Sequence, residues 1–104
     1  MGIDVAWITE SGEAKQQVYD PRQCVTRLAT SIWPTQRDTV CLRFIDAWGD
    51  TTFNQAQVPM LVNELRSSLA GQTDVEICAH LEKVIRLVER AVGQTHTYVR
   101  FIGD

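Results

Sequence analysis

Two arginines lie in nearly identical sequence contexts, and two such side chains on one surface would bind an anion. Arg43 lies in residues 42–46, LRFID, and Arg100 lies in residues 99–104, VRFIGD. Both segments alternate apolar and polar residues with the two-residue period of a strand. If the two strands are neighbours, their guanidinium groups share one face and require a carboxylate or a phosphate, either bound or internal. The internal candidates are Asp46, Asp50 and Asp104.

The same predicted face and its rim carry residue types that are common at protein interfaces. Tyr, Trp and Arg are enriched in binding hot spots, which favours a protein partner over a small molecule. Trp48 lies in a short loop containing a glycine, where its ring either packs back over the sheet, the commoner arrangement, or is held out for a partner. The candidate partner-binding residues are Arg43, Asp46, Trp48, Asp50, His96, Tyr98 and Arg100.

No spacing in the chain predicts catalysis or metal binding. A Gly-rich phosphate loop, a Gly-x-Ser-x-Gly elbow and a His-Glu-x-x-His motif are all missing. Cys78 and His80 are two apart on a predicted helix and point to different faces, which is wrong for joint ligation. The three cysteines, Cys24, Cys41 and Cys78, are typical of reduced, buried thiols. We therefore predict no catalytic residue, no metal and no cofactor.

The composition favours a single soluble domain, residues 1–104. The net charge is −3, and 44% of the residues are hydrophobic, enough for a core. We expect no nucleic-acid partner, because the ten basic residues are dispersed rather than clustered. We also expect no membrane association and a cytoplasmic location, because the chain shows no signal sequence and no apolar run of roughly 20 residues.

Strands and helices alternate along the chain to position these residues. A hairpin is predicted over residues 3–19 and a helix from Asp20 and Pro21 to Trp33. A central strand over residues 39–45 and a short one over 51–53 follow. Two helices then begin near Pro59 and Thr73, and a last strand covers residues 95–102.

The resulting order, ββαββααβ, predicts an α+β fold with a mostly antiparallel sheet and helices packed on one face. We expect the two LRFID-like segments to be neighbouring strands. The residues expected to face the helices are Leu42, Phe44, Val99 and Phe101. Those expected on the opposite, open face are Arg43, Ile45, Tyr98, Arg100 and Ile102.

Two parts of the chain, residues 40–65 and 94–104, resemble a group of small bacterial proteins of unknown function. The likeness rests on residues 42–54, LRFIDAWGDTTFN, and on residues 96–104, HTYVRFIGD. It implies a bacterial cytosolic origin and carries no activity with it.

These observations favour a non-enzymatic module that binds another protein. An immunity protein, an antitoxin or an adaptor of bacteria fits the size and charge of the chain. One alternative is a small anion-binding protein or enzyme that holds a carboxylate or phosphate with Arg43, Arg100, His96 and Tyr98. A second alternative is a homodimer of purely structural role, with Ile45, Tyr98 and Ile102 at the centre of its interface.

Overall fold

Four strands and three helices make up the computed structural model, which describes residues 2–103. The elements in chain order are β1 (Asp4–Thr9), β2 (Ala14–Val18), α1 (Cys24–Ser31), a 3-10 turn (Trp33–Thr35), a second 3-10 turn (Leu42–Phe44), β3 (Asp50–Phe53), α2 (Val58–Ala70), α3 (Val75–Ala91) and β4 (Thr97–Ile102). The strands form one antiparallel sheet in the order β2-β1-β4-β3. The predicted α+β class is confirmed, with one strand fewer than expected.

The register of the two central strands decides which side chains face the helices. Val5 of β1 lies opposite Phe101 of β4, and both are fully buried. Their neighbours in the register, Ala6 and Arg100, therefore point to the other face. Phe101 also meets Phe53 of β3 edge-to-face, with 5.8 Å between the ring centroids.

The helices cover one face of the sheet, as predicted. α3 lies against β1, β2 and β4, and α1 and α2 pack on α3. The apolar side chains of α3 follow helical spacing through Ile77, Leu81, Val84 and Val88, and all of them are buried. No helix within residues 2–103 combines the length and the apolar character that a bilayer crossing requires.

The open face of the sheet is mixed in character. Tyr98, Arg100 and Ile102 lie on it and are half-buried, which confirms their predicted orientation. Ala6 and Ile8, which flank Arg100 and Tyr98 in the register, are buried although no helix covers them. The long side chains of β4 therefore shield a narrow apolar strip on this face.

The prediction of a central strand over residues 39–45 is wrong. Leu42–Phe44 forms a 3-10 turn, and β4 already has β1 and β3 as its two neighbours. The two similar segments are therefore not adjacent strands. Two of the predicted orientations are reversed as well, because Phe44 is 60% exposed whereas Ile45 is buried; Leu42 is buried and Arg43 exposed, as expected. Arg43 accordingly lies in a turn outside the sheet.

A glutamate on α2 explains why this segment does not form a strand. The Glu64 carboxylate accepts backbone N–H groups from Val40 at 2.7 Å, Cys41 at 3.0 Å and Leu42 at 2.9 Å. Those donors would otherwise be available to a sheet partner. The carboxylate thus replaces the strand neighbour that the alternating pattern had suggested.

Replacing Glu64 with alanine should destabilise the fold by about 2 kcal/mol, because three backbone donors lose a charged acceptor. The free energy of unfolding in urea measures the effect. Glu82→Ala is the matched control on α3, since Glu82 is exposed and its partner Arg86 lies 3.8 Å away. That control should cost less than about 0.5 kcal/mol. Equal losses for the two variants would contradict the role assigned to Glu64.

Candidate functional site

Residues 46–49, here called the Trp48 loop, are held firmly against the end of β4. The Trp48 N–H donates to Asp46 Oδ1 at 2.8 Å, and the Gly103 N–H donates to the Gly49 carbonyl at 2.9 Å. Gly103 permits this close approach, because a Cβ there would collide with the carbonyl oxygen of Ala47. The backbone that carries Trp48 is therefore fixed.

The Trp48 ring is held out rather than packed back over the sheet. It is 77% exposed, so the commoner arrangement expected from the sequence is wrong. Two further large apolar residues of the same stretch, Val40 and Phe44, are also exposed. The Arg43 guanidinium stacks over the Phe44 ring at 4.6 Å from its centroid. We call Val40, Arg43, Phe44 and Trp48 the aromatic segment.

Three other predicted site residues share the open face of the sheet. Tyr98 and Arg100 project from β4, and Asp50 lies opposite Ile102 at the start of β3. The Arg100 Nε–H donates to Thr52 Oγ1 at 3.0 Å across the two strands. Asp50 directly follows the Trp48 loop, so the loop and this corner of the open face are continuous.

His96 lies near Tyr98, at the opposite end of β4 from Asp50. It precedes the first residue of β4, whereas Asp50 lies opposite the last. Its Nδ1 is 2.9 Å from Glu10 Oε1, beside the turn between β1 and β2, and both side chains are exposed. The structure therefore does not bring His96 together with Asp46, Trp48 or Asp50.

The two arginines singled out in the sequence have no acidic partner in the part of the chain that the structure describes. Arg43 Nη1 donates to the Arg37 carbonyl at 3.2 Å, and the Arg100 Nε–H donates to the Thr52 hydroxyl. Neither forms an ion pair within residues 2–103. The third internal candidate, Asp104, lies outside the described residues. Within residues 2–103, therefore, neither guanidinium is neutralised by a carboxylate.

A second cluster, which sequence reasoning missed, lies at the junction of α1, α3 and the strand β2. Asp20, Cys24 and His80 each place a donor atom within 4.8 Å of the other two. Asp20 and Cys24 are buried, and the His80 side chain is only 10% exposed. We call these three residues the Asp20 cluster.

Asp20 is the anchor of this cluster. Its Oδ1 accepts the Cys24 N–H at 2.7 Å, and its Oδ2 accepts the N–H groups of Ile3 at 3.0 Å and Val25 at 3.1 Å. The N-cap position that the sequence assigns to Asp20 belongs to Gln23, because α1 begins at Cys24 rather than at Pro21. The Asp20 carboxylate nevertheless accepts the first backbone N–H groups of the helix. The same bonds fix the carboxylate in one orientation.

Burial sets the protonation of the cluster. It lowers the pKa of His80, and the nearby Asp20 carboxylate opposes that effect only in part. Burial also raises the pKa of the Cys24 thiol, and the nearby Asp20 carboxylate raises it further.

Cys41, the other buried cysteine, lies outside this cluster. Burial, with a contribution from Glu64, raises the pKa of its thiol to about 11. Protonated thiols are poor nucleophiles, so neither buried cysteine is prepared for covalent catalysis.

An open groove of about 540 Å³ borders the Asp20 cluster. Cys24 and His80 lie on its wall, and charged side chains surround its rim. Those charged residues are Arg22, Glu76 and Lys83. The groove connects Cys24 and His80 to solvent, so a small ligand or ion could reach the cluster.

The cluster escaped sequence analysis because its members come from distant parts of the chain. Asp20 and Cys24 are close in sequence, but His80 joins them only through the packing of α3 against the start of α1. One signal was present: His80 lies three residues after Ile77 and four before Val84, both on the apolar stripe of α3. A histidine beside such a stripe is drawn toward the core.

Comparison of the chain with protein-family models, with curated proteins and with solved structures finds no match. The function must therefore be argued from the two sites themselves.

Proposed function

We propose that this protein is a non-enzymatic module that binds another protein through the Trp48 loop and the adjoining aromatic segment. The observation that carries the proposal is the exposure of Trp48 on a fixed backbone. A tryptophan ring buries roughly 150–250 Å² when it is covered, and leaving it in water forgoes that free energy. A loop that is rigid before binding also loses little entropy when a partner docks.

The surroundings of Trp48 support a partner with an apolar pocket and an acidic rim. The exposed ring of Phe44 lies in the same short stretch of chain and carries Arg43 stacked on it. Arg100 adds a second cation without an acidic partner among the described residues. Tryptophan and arginine are both residue types enriched in binding hot spots.

The biological setting that we propose is a small bacterial immunity protein, antitoxin or adaptor in the cytoplasm. The support is by analogy of size, charge and surface type. Neither buried thiol is activated as a nucleophile, which is in keeping with a binding role.

Photo-cross-linking in the source cell tests this proposal. A photoreactive phenylalanine analogue at Phe44 should give one discrete adduct with another protein, and Trp48→Ala should abolish it. The matched control places the same analogue at Val75, which is 83% exposed at the start of α3 and should give no discrete adduct. An adduct that survives Trp48→Ala, or that forms equally from position 75, would overturn the proposal.

Once the partner is captured, its affinity for the purified variants measures the contribution of the indole. Trp48→Ala should weaken binding by roughly 30-fold, as expected for an aromatic hot spot, whereas Val75→Ala should leave the affinity unchanged.

The same experiment distinguishes the two alternatives. An adduct of two 11.8 kDa chains would identify a second copy as the occupant and favour the homodimer. That interface would lack Ile45, which is buried rather than on the open face. The anion-binding alternative required Arg43 and Arg100 on neighbouring strands, and Arg43 does not lie on a strand. The anion-binding alternative would be favoured only if no protein were captured and an added anion raised the thermal stability of the protein.

A further inference from the structure

We propose that Asp20, Cys24 and His80 bind one Zn²⁺ ion at the wall of the groove between α1 and α3. The three side chains supply one oxygen, one sulfur and one nitrogen, all within 4.8 Å of one another. This site is independent of the Trp48 loop and of the protein-binding role proposed above.

The strongest indication is a buried imidazole nitrogen without a hydrogen bond. His80 Nε2 has no hydrogen-bond partner among residues 2–103, although the side chain is nine-tenths buried. It lies 3.5 Å from Asp20 Oδ1, so it is aimed into the cluster. Buried polar atoms are nearly always satisfied, and an unsatisfied one requires an explanation. A metal ion between His80 and Asp20 would supply the missing partner.

Asp20 has the capacity to act as a ligand while it keeps its structural bonds. Its Oδ1 accepts a single backbone N–H, from Cys24, and a carboxylate oxygen has two lone pairs. Among residues 2–103 no second hydrogen bond to Oδ1 is formed, and its nearest cationic group is the proposed co-ligand His80 at 3.5 Å. The other oxygen holds Ile3 and Val25, which keeps the carboxylate in position during binding.

The donor set selects zinc over the common oxygen-seeking cations. A thiolate and an imidazole are poor ligands for Mg²⁺ and Ca²⁺, whereas zinc takes Cys, His and Asp together. Ligand atoms around tetrahedral zinc are roughly 3.5 Å apart, and His80 Nε2 already lies 3.5 Å from Asp20 Oδ1. The other separations are at most 4.8 Å, so small side-chain adjustments would bring the three donor atoms around one ion.

Arg27 completes the arrangement around the sulfur. Its Nη2 lies 3.4 Å from Cys24 Sγ and also 2.7 Å from Glu76 Oε1. A guanidinium held in this position stabilises a coordinated thiolate. Three protein ligands leave the fourth position of zinc open toward the groove, where a water molecule or a small anion would bind.

Metal titration of the untagged, chelator-treated protein tests the proposal directly. Cobalt is the probe, because a thiolate bound to Co²⁺ gives an absorption band that oxygen and nitrogen ligands do not give. We expect one Co²⁺ per chain with this band, and displacement of the cobalt by Zn²⁺. Competition against a coloured chelator then gives the zinc affinity.

Four variants separate this site from adventitious binding. Cys24→Ala should abolish the sulfur band, and His80→Gln should weaken zinc binding by at least about 100-fold. Cys78→Ala is the matched control, since Cys78 is a free thiol two residues before His80 that lies outside the cluster, and it should change neither readout. A band that persists in Cys24→Ala, or zinc binding lost in His96→Ala instead, would overturn the proposal. Circular dichroism verifies that each variant is folded.

Discussion

Replacing Asp20 with alanine should destabilise the protein by about 4 kcal/mol, one of the two largest losses that we expect from a single side chain. The carboxylate is buried and accepts four backbone N–H groups, those of Ile3, Cys24, Val25 and Thr26. Removing the carboxylate takes away the acceptor of the first N–H groups of α1 and leaves a buried donor on the first residues of the chain unpaired. Each buried donor without a partner costs roughly 1–3 kcal/mol.

Asp20 also connects the start of β1 to the start of α1. Its backbone N–H donates to Asp4 Oδ1 at 2.8 Å, while its side chain holds Ile3 and the start of α1. The substitution therefore loosens β1 and α1 together. We expect one cooperative unfolding transition at a lower urea concentration rather than the loss of a single helix.

The measurement is urea unfolding with a chelator present, so that metal binding does not contribute. Asp20→Asn keeps the shape and one acceptor oxygen, but its NH₂ group faces backbone donors, and we expect an intermediate loss of about 2 kcal/mol. Asp38→Ala is the surface control, since Asp38 is exposed, and it should cost less than about 0.5 kcal/mol. A loss of under 1 kcal/mol for Asp20→Ala would show that water or other groups replace the carboxylate.

Much of the fold could be predicted because its signals are local. The turn between β1 and β2 and the two later helices follow from residues close together in sequence. Asp74, for example, accepts the N–H groups of Glu76 and Ile77 at the start of α3, within the capping sequence already visible in the chain. The side chains of Asn54 and Gln57 likewise each accept the other residue's backbone N–H in the turn just before α2.

The segment over residues 39–45 was mispredicted because a distant residue decides its structure. Its alternating pattern is that of a strand, but Glu64 binds its backbone donors from α2. Sequence periodicity describes which faces are apolar and says nothing about an acceptor more than 20 residues away. The Asp20 cluster could not be predicted for the same reason, because His80 comes close to Asp20 and Cys24 only when the helices pack together.

The candidate surface could be predicted in part. The sequence singled out Trp48 by its type and loop, but its exposure depends on Gly103 and Gly49 fixing the loop against β4. The grouping of Asp50, Tyr98 and Arg100 on the open face follows from the period of β3 and β4. Arg43 was predicted to share this face because residues 39–45 were taken as a strand, and they form a 3-10 turn instead. His96 was predicted at its rim because the last strand was expected to begin at residue 95, whereas β4 begins at Thr97.

Phe101→Ala should lower the free energy of unfolding by about 4 kcal/mol, whereas Phe44→Ala should lower it by less than about 1 kcal/mol. The two phenylalanines nevertheless have nearly the same neighbours in sequence. Phe101 is fully buried and packs edge-to-face on Phe53, so its removal leaves a cavity in the core. Phe44 is 60% exposed, and its visible contact is the stacked Arg43 guanidinium. An exposed stack of this kind contributes only about 0.5–1 kcal/mol.

Chemical unfolding of both variants side by side gives the comparison, and Phe101→Leu refines it. Leucine fills part of the cavity but cannot make the edge-to-face contact with Phe53, so its loss should fall between those of alanine and the native residue. A small loss of stability for Phe44→Ala would also support the proposed function, because a large exposed ring that adds little to folding stability is available for contact with a partner. Equal losses at Phe44 and Phe101 would mean that the Phe44 ring also lies in the core, and the exposed aromatic segment would no longer support a docking surface.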